Sequence, residues 1–381
     1  MAGLYVHFPF CAAKCSYCDF YSRVRKDWTP YVDALLRELS ERRNELVKMP
    51  GYAGHDVFAP TTLYFGGGTP SLLPVTELKR VADAARETFC RPSAPTSRPS
   101  CPAPTGHLFE EFTLEVNPDD VSAEKAAAWR AMGVNRVSMG VQSFDDAHLR
   151  WMRRRHTAAQ AVAAFATLHA AGFDNLSLDL IFGFTGLTDE TWATCIEAAV
   201  ALRPEHISCY QMTGRYAASD EETCRRQYRM LQDRLRAVGY AQYEISNYAL
   251  PGKESQHNSA YWARVPYLGL GAGAHSFDGD RLRQWNTPDI DAYMTSRPHS
   301  EEWLSDQEVL EEKLMLSLRT VRGLDLSSLT DDELYHLNKA TLEELSRAGK
   351  LIREKTVIRI PEEELFVSDW IISRLFPEYK A

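Results

Sequence analysis

From Leu4 to about Tyr248, short apolar runs alternate with longer amphipathic stretches. Runs at Leu4–Phe8, Thr62–Phe65, Phe112–Val116, Arg136–Val141, Leu176–Phe182 and His206–Gln211 read as strands, and Gln242–Ser246 reads as a seventh. Helical patterns lie between them. One opens at Thr29-Pro30, where proline suits the first helical position because its missing N–H would have no helical partner. Another opens at Thr157, with Gln160 three residues on completing a capping box, and stops at Gly172. Two more stop at Gly133 and Gly239. Repeated strand–helix units joined by right-handed crossovers build a parallel sheet. Six or seven of them predict an α/β fold, a partial (β/α)6-type TIM barrel, rather than the complete barrel of eight.

After about residue 285 the pattern changes. Segments 307–320 and 331–348 read as helices, Lys350–Ile360 as a short hairpin and 365–376 as a last helix. This predicts a barrel domain over 1–285 and a small, mainly α, winged-helix-like C-terminal domain over 286–381. Residues 91–106 are a Pro/Ser-rich loop inserted between a helix and a strand, and the flanking Cys90 and Cys101 read as free thiols.

Composition narrows the function classes. Hydrophobic residues make up 44% and charged residues 25%, enough for a sizeable core. The N-terminus has no basic stretch followed by an apolar one, so no signal peptide is expected, and no transmembrane segment is expected either. Eight cysteines, three of them clustered, do not make a disulfide scaffold at this length. A cytoplasmic location follows, with peripheral attachment to the inner face of the membrane as the alternative. Net charge is −9, and residues 301–381 carry 18 acidic against 11 basic side chains, so no nucleic acid partner is expected. The one basic run, Arg150-Trp-Met-Arg-Arg-Arg-His156, reads as a solvated helix face.

The candidate chemistry begins with Cys11, Cys15 and Cys18, in the run from Tyr5 to Phe20. A structural zinc site takes four protein ligands, and His7 could supply the fourth. The x3 gap and the lack of a second knuckle fit zinc less well. A four-iron cluster on three thiolates leaves one iron free for a cosubstrate.

Active sites of such barrels lie at the C-terminal ends of the strands. There the sequence places the cysteine loop after the first strand and Gly66-Gly67-Gly68-Thr69-Pro70-Ser71 after the second. Glu115 ends the third, followed by Asn117-Pro118. Gln142 ends the fourth, Asp179 lies on the fifth, and Tyr210 and Gln211 end the sixth. Glycines let backbone groups approach a charged ligand, Glu115 or Asp179 suits ribose hydroxyls, and Arg154 suits a carboxylate.

The C-x3-C-x2-C run followed by Gly-Gly-Gly-Thr-Pro resembles the radical S-adenosylmethionine superfamily. The resemblance implies a [4Fe-4S] cluster on Cys11, Cys15 and Cys18. It also implies that the amino and carboxylate groups of S-adenosyl-L-methionine chelate the free iron, and that an electron from the cluster cleaves the S–C bond. Tyr5-Val-His-Phe-Pro-Phe-Cys11, Leu114-Glu-Val-Asn-Pro118, Ser138-Met-Gly-Val-Gln-Ser-Phe144 and Leu178-Asp-Leu-Ile-Phe-Gly183 resemble the oxygen-independent coproporphyrinogen III oxidase branch. By that match Tyr5, Gly67 and Glu115 contact the cluster-bound S-adenosylmethionine. Tyr17, Gly68, Thr69, Gln142, Arg154 and Asp179 correspond to positions lining a second one.

Two features point within that branch to the HemW-type haem chaperones. Phe20 stands where the oxidase pattern has a fourth cysteine, and His257-Asn-Ser-Ala-Tyr261-Trp262 is similar to the chaperones' H-N-x-x-Y-W motif. This implies one haem b per chain, with His257 as iron ligand and Tyr261 and Trp262 as flat surface for the porphyrin. His275 is a second candidate ligand. It also implies transfer of haem to an acceptor protein, with respiratory proteins as candidate acceptors. The rival readings are a radical coproporphyrinogen III dehydrogenase of porphyrin biosynthesis and a radical tRNA-modifying enzyme. One departure is that after Thr213 the family's E-P-x-T stretch is shortened to Gly214-Arg-Tyr-Ala-Ala218.

Overall fold

The computed structural model describes residues 2–46, 60–89, 109–213 and 218–377. The Pro/Ser-rich stretch 91–106, Cys90, Cys101 and residues 214–217 of the shortened segment lie outside the described residues. Six parallel strands follow one another in the sheet in chain order: β1 (Gly3–Phe8), β2 (Thr62–Gly67), β3 (Glu111–Val116), β4 (Arg136–Gln142), β5 (Leu176–Phe182) and β6 (His206–Gln211). Helices α1 (Trp28–Leu46), α2 (Val75–Phe89), α3 (Ala123–Ala131), α4 (Asp146–Trp151), α5 (Ala158–Ala170), α6 (Asp189–Leu202) and α7 (Glu221–Ala237) connect and follow these strands. This is the partial (β/α)6 barrel. The Thr157 capping box forms with both reciprocal bonds, and Gly133, Gly172 and Gly239 all take positive φ where helices end.

Two layers of opposite character follow from the period of two along each strand. Leu4, Val6 and Phe8, Leu63 and Phe65, Phe112 and Leu114, and Val137 and Met139 form the buried apolar face against the helices. The alternate positions are polar: Tyr64 on β2, Glu115 on β3, Arg136 and Ser138 on β4, Asp179 on β5 and Ser208 on β6. The barrel interior therefore holds hydrogen-bonding groups where a purely structural barrel would be filled by branched apolar side chains.

The sheet does not close. Beside β6 it ends in a short hairpin of β7 (Ala241–Gln242) and β8 (Asn247–Ala249), which replaces the single strand expected at Gln242–Ser246. The reason is local: the Gln242 amide donates to the carbonyls of Glu244 and Ile245, both at 3.1 Å, and folds the segment back on itself. After α8 (Gln256–Trp262), β9 (Tyr267–Leu270) pairs in parallel with β1 at the other edge. The sheet then continues antiparallel through β10 (His275–Phe277), β11 (Leu282–Asn286) and β12 (His299–Trp303), with α9 (Ile290–Thr295) between the last two. The twelve-stranded sheet thus runs past residue 285 to Trp303.

The C-terminal unit contains α10 (Asp306–Leu318), β13 (Leu324–Asp325), α11 (Asp331–His336), α12 (Lys339–Arg347), β14 (Ile352–Glu354), β15 (Val357–Arg359) and α13 (Ser368–Leu375). The helix expected over 331–348 is broken in two because the side chain of Asn338 caps a new start, accepting from Thr341 N at 3.1 Å. The hairpin wing is present as β14 and β15, and β13 adds a third strand that the sequence pattern did not show.

Candidate functional site

A cavity of about 410 Å³ opens at the C-terminal ends of the barrel strands. Cys11, Cys15 and Cys18 line it, and all three are free thiols. Their loop is pinned by its backbone. Cys11 N donates to Arg23 O at 3.0 Å, Arg23 N to Pro9 O at 2.8 Å, and Ser16 N to Met152 O at 3.4 Å. Burial pushes the Cys18 thiol up. The zinc alternative with His7 is not what the structure shows. The His7 imidazole is shared between the Tyr5 hydroxyl (3.0 Å) and the Tyr21 carbonyl (3.1 Å), and burial holds its pKa down to about 4. Among the described residues no three His, Cys, Asp or Glu side chains converge as a single metal ion requires.

The glycine turn is shaped by contacts that exclude side chains. Gly67 has φ +110°, and a Cβ there would lie 2.6 Å from His7 Cε1. A Cβ on Gly68 would lie 2.6 Å from Phe10 O, and one on Gly66 3.0 Å from Glu115 Oε1. The turn thus brings main chain against both the cysteine loop and Glu115. Glu115 Oε1 accepts from the Tyr64 hydroxyl at 2.8 Å and Oε2 from Gly67 N at 3.0 Å. Burial pushes its carboxyl up to about 7, and nearby Asp179 adds to the rise. The two hydrogen bonds and Arg136 oppose it. Asp179, which accepts from Ser138 Oγ at 3.1 Å, is also raised by burial.

Gln142 ends β4 at φ +70°, beside a register shift between Gly140 and Gln142. A non-glycine residue in the left-handed region at a bulge is a strained feature of the kind found at functional sites. The Arg154 guanidinium is fixed from three sides. It donates to Asn117 Oδ1 (2.7 Å), Gly140 O (2.6 Å) and Cys15 Sγ (3.7 Å), while its buried Nε has no partner among the described residues. Arg154 thereby ties the cysteine loop to the ends of β3 and β4.

Of the residues expected at the site, Cys11, Cys15, Cys18, Tyr17, Gly67, Gly68, Thr69, Glu115, Gln142, Arg154 and Asp179 all line this cavity. Tyr5 does not. It lies beside the cavity wall, with its ring 5.9 Å from that of Tyr64. Phe20 lines the mouth and is 68% exposed, which leaves its ring available to a partner. The sequence reading did not single out Arg136 or Ser208, and it named Asn117 only in passing. Polar residues at alternate positions of otherwise apolar strands were the available signal.

The H-N-x-x-Y-W segment lies behind this cavity, and its Asn258 reaches the cavity wall. It forms α8, at the end of the barrel where the strands begin. His257 is 1% exposed. Its Nδ1 shares a hydrogen bond with Thr62 Oγ1 at 2.7 Å and its Nε2 with the Tyr261 hydroxyl at 2.9 Å. Its backbone N–H donates to Glu111 Oε1 at 2.9 Å. Burial holds the imidazole pKa down to about 3, so the ring is neutral. Trp262 packs beneath the Arg319 guanidinium, which lies 5.8 Å from its ring centre, and its buried Nε1 has no partner among the described residues. His275 stacks on Trp285 at 5.7 Å on an exposed strand end.

Comparisons with known proteins agree with this geometry. The family model described as the Radical SAM superfamily matches residues 5–199, and that of the HemN C-terminal domain matches residues 304–367. A Bacillus subtilis protein named heme chaperone HemW is 31% identical, over 95% of this chain and 96% of its own length. The Escherichia coli protein of the same name is 33% identical over 77% of this chain and 76% of its own length. The Bos taurus mitochondrial radical S-adenosyl methionine domain-containing protein 1 is 30% identical over 98% of this chain and 87% of its own length. Among solved structures, Escherichia coli coproporphyrinogen III oxidase (HemN), described as a radical SAM enzyme, superposes with a TM-score of 0.76 at 21% identity. That match covers 98% of this chain and 90% of the oxidase, a likeness of fold.

Proposed function

Since this chain belongs to the radical SAM superfamily, and within it to the family of the HemW heme chaperones, we propose that it binds one haem b and passes it to an acceptor protein. The cavity would hold a [4Fe-4S] cluster on Cys11, Cys15 and Cys18 with S-adenosylmethionine at the fourth iron. When bound, such a cluster supplies an electron to S-adenosylmethionine for cleavage of its S–C bond.

This chain's own residues do the binding. The Arg154 guanidinium, already oriented by Asn117 and Gly140, is the partner for the ligand's carboxylate. Glu115 and Asp179 are hydrogen-bond acceptors for its ammonium or ribose hydroxyls. A cavity of about 410 Å³ is near the small end of the range for one ligand, which supports one S-adenosylmethionine rather than two. The second-molecule positions Tyr17, Gly68, Thr69 and Gln142 then serve the same site.

The observation that carries the chaperone reading is the cavity wall itself. It offers three free thiols and the exposed ring of Phe20 in place of a fourth thiol. His257 is the proposed iron ligand, and to reach a haem it must exchange the Tyr261 hydroxyl for iron. Among the described residues no helix is long and apolar enough to cross a membrane.

The test is a haem titration of the cluster-reconstituted protein and of His257→Ala, followed at the Soret band. Saturation at one haem per chain, with a shifted or lost band in the variant, supports carrier and ligand together. Specific binding that is unchanged in the variant removes His257 as the ligand. An absence of specific binding refutes the reading, and formation of protoporphyrinogen IX then becomes the question.

A further inference from the structure

We infer that His257 is a positioning residue for the Glu115 carboxylate, acting through the ring of Tyr64. This rests on the reading that the cavity binds S-adenosylmethionine.

The physical path is continuous. Three successive inward positions of β2 are Thr62, Tyr64 and Gly66. Thr62 Oγ1 holds His257 Nδ1 at 2.7 Å. The His257 imidazole stacks on the Tyr64 ring, with centroids 5.0 Å apart and planes 29° apart. The Tyr64 hydroxyl donates to Glu115 Oε1 at 2.8 Å, and the missing side chain of Gly66 leaves room for that carboxylate. Tyr5 packs on the same ring at 5.9 Å.

His257 is held from several sides for as long as Tyr261 keeps its Nε2. Besides Thr62 and Tyr261, its main-chain N–H is held by Glu111, and a Cβ on Gly3 would sit only 3.0 Å from its Cε1. A side chain fixed from so many directions makes a stiff backing for whatever leans on it. Tyr64 leans on it, and Tyr64 aims the donor that orients Glu115. Without His257 the Tyr64 ring borders a void and can tilt, and its hydroxyl leaves the carboxylate. The helix whose Asn258 already lines the cavity is thereby linked to the Glu115 carboxylate by two side chains, His257 and Tyr64.

The experiment uses the full-length, cluster-reconstituted protein. The dissociation constant for S-adenosylmethionine is measured by equilibrium dialysis, and the electron paramagnetic resonance shift of the reduced cluster on adding it is recorded. The variants are Tyr64→Phe, His257→Ala and the double variant, with Tyr261→Phe as a milder probe should His257→Ala fail to fold. Losing one hydrogen bond to a buried carboxylate predicts about a tenfold weaker dissociation constant in Tyr64→Phe. His257→Ala should weaken binding about fivefold. The double variant should be no weaker than Tyr64→Phe, because the two act on one path. Tyr261→Phe should weaken binding about twofold, and the cluster signal shift should shrink in step across the series. A purely structural role would lower cluster content or melting temperature while the loaded fraction kept the wild-type dissociation constant, and that result overturns the inference. So do losses that multiply in the double variant. Failure of the wild type to bind S-adenosylmethionine overturns the reading of the cavity instead.

Discussion

Replacing Glu115 by Gln removes one buried ionisable group while keeping its shape, so it isolates that group's effect on stability. In the folded chain burial raises the carboxyl from 4.5 to about 7. At 1.36 kcal/mol per pKa unit, ionising it inside the protein costs about 3 kcal/mol relative to ionising it in the unfolded chain. The sign follows from proton counting. Below pH 4.5 both states hold the proton and there is no penalty. Between 4.5 and about 7 the unfolded chain has released it while the folded chain keeps it, so the wild type loses stability as pH rises. Above that range both are ionised and the penalty is constant. Urea unfolding of the cluster-free wild type and of Glu115→Gln at a series of pH values measures the difference. The wild type should lose about 3 kcal/mol relative to the variant across this window, most steeply between about pH 5 and pH 7. A pH-independent offset from the altered hydrogen bonds to Tyr64 and Gly67 does not affect that slope. A flat difference, or a wild type that gains stability with rising pH as an ion-paired carboxylate would, refutes the argument.

Other substitutions test other parts of the site. Alanine at any one of Cys11, Cys15 or Cys18 should abolish the ~400 nm absorbance of the reconstituted cluster, and an unchanged spectrum would remove that residue as a ligand. Gly68→Ala puts a Cβ 2.6 Å from Phe10 O and 2.9 Å from Phe8 O, both main-chain atoms that cannot swing away. It should cost about 1–3 kcal/mol in denaturant unfolding and lower cluster content, whereas wild-type stability would contradict the close approach. Arg154→Lys keeps the charge but cannot hold Asn117 Oδ1 and Gly140 O with one planar group. Cluster loading should survive while S-adenosylmethionine binds about tenfold more weakly, as for a lost charge-assisted hydrogen bond, and equal affinity would place the ligand's carboxylate elsewhere.

The six barrel strands were legible to within two residues at each end, and the Thr157 capping box to the residue. The expected fold class followed from them, and of the twelve residues expected to hold the cluster and S-adenosylmethionine all but Tyr5 line the cavity. The misreadings have physical causes. Gln242–Ser246 has a strand-like composition, but one glutamine amide bonding two carbonyls turns the chain back. Residues 331–348 keep a helical pattern across Asn338, and a side-chain cap breaks it. Arg136 was not singled out because an arginine at the start of a strand carries no mark of being 1% exposed.

His257 shows where the line falls. The resemblance of its run to the H-N-x-x-Y-W motif is what reads it as a haem ligand, whereas a histidine beside a tyrosine and a tryptophan by itself reads as a packed one. Its nitrogens are engaged by Tyr261, four residues away, and by Thr62, 195 residues away. Periodicity, caps and turns are set by free energies among neighbours along the chain, so elements and motifs can be read from the order of residues. Which donor meets which acceptor, and whether a ring nitrogen faces a ligand or another side chain, depends on groups that become neighbours only when the sheet assembles. The cavity, the Tyr64–Glu115 contact and the commitment of His257 therefore emerged with the fold.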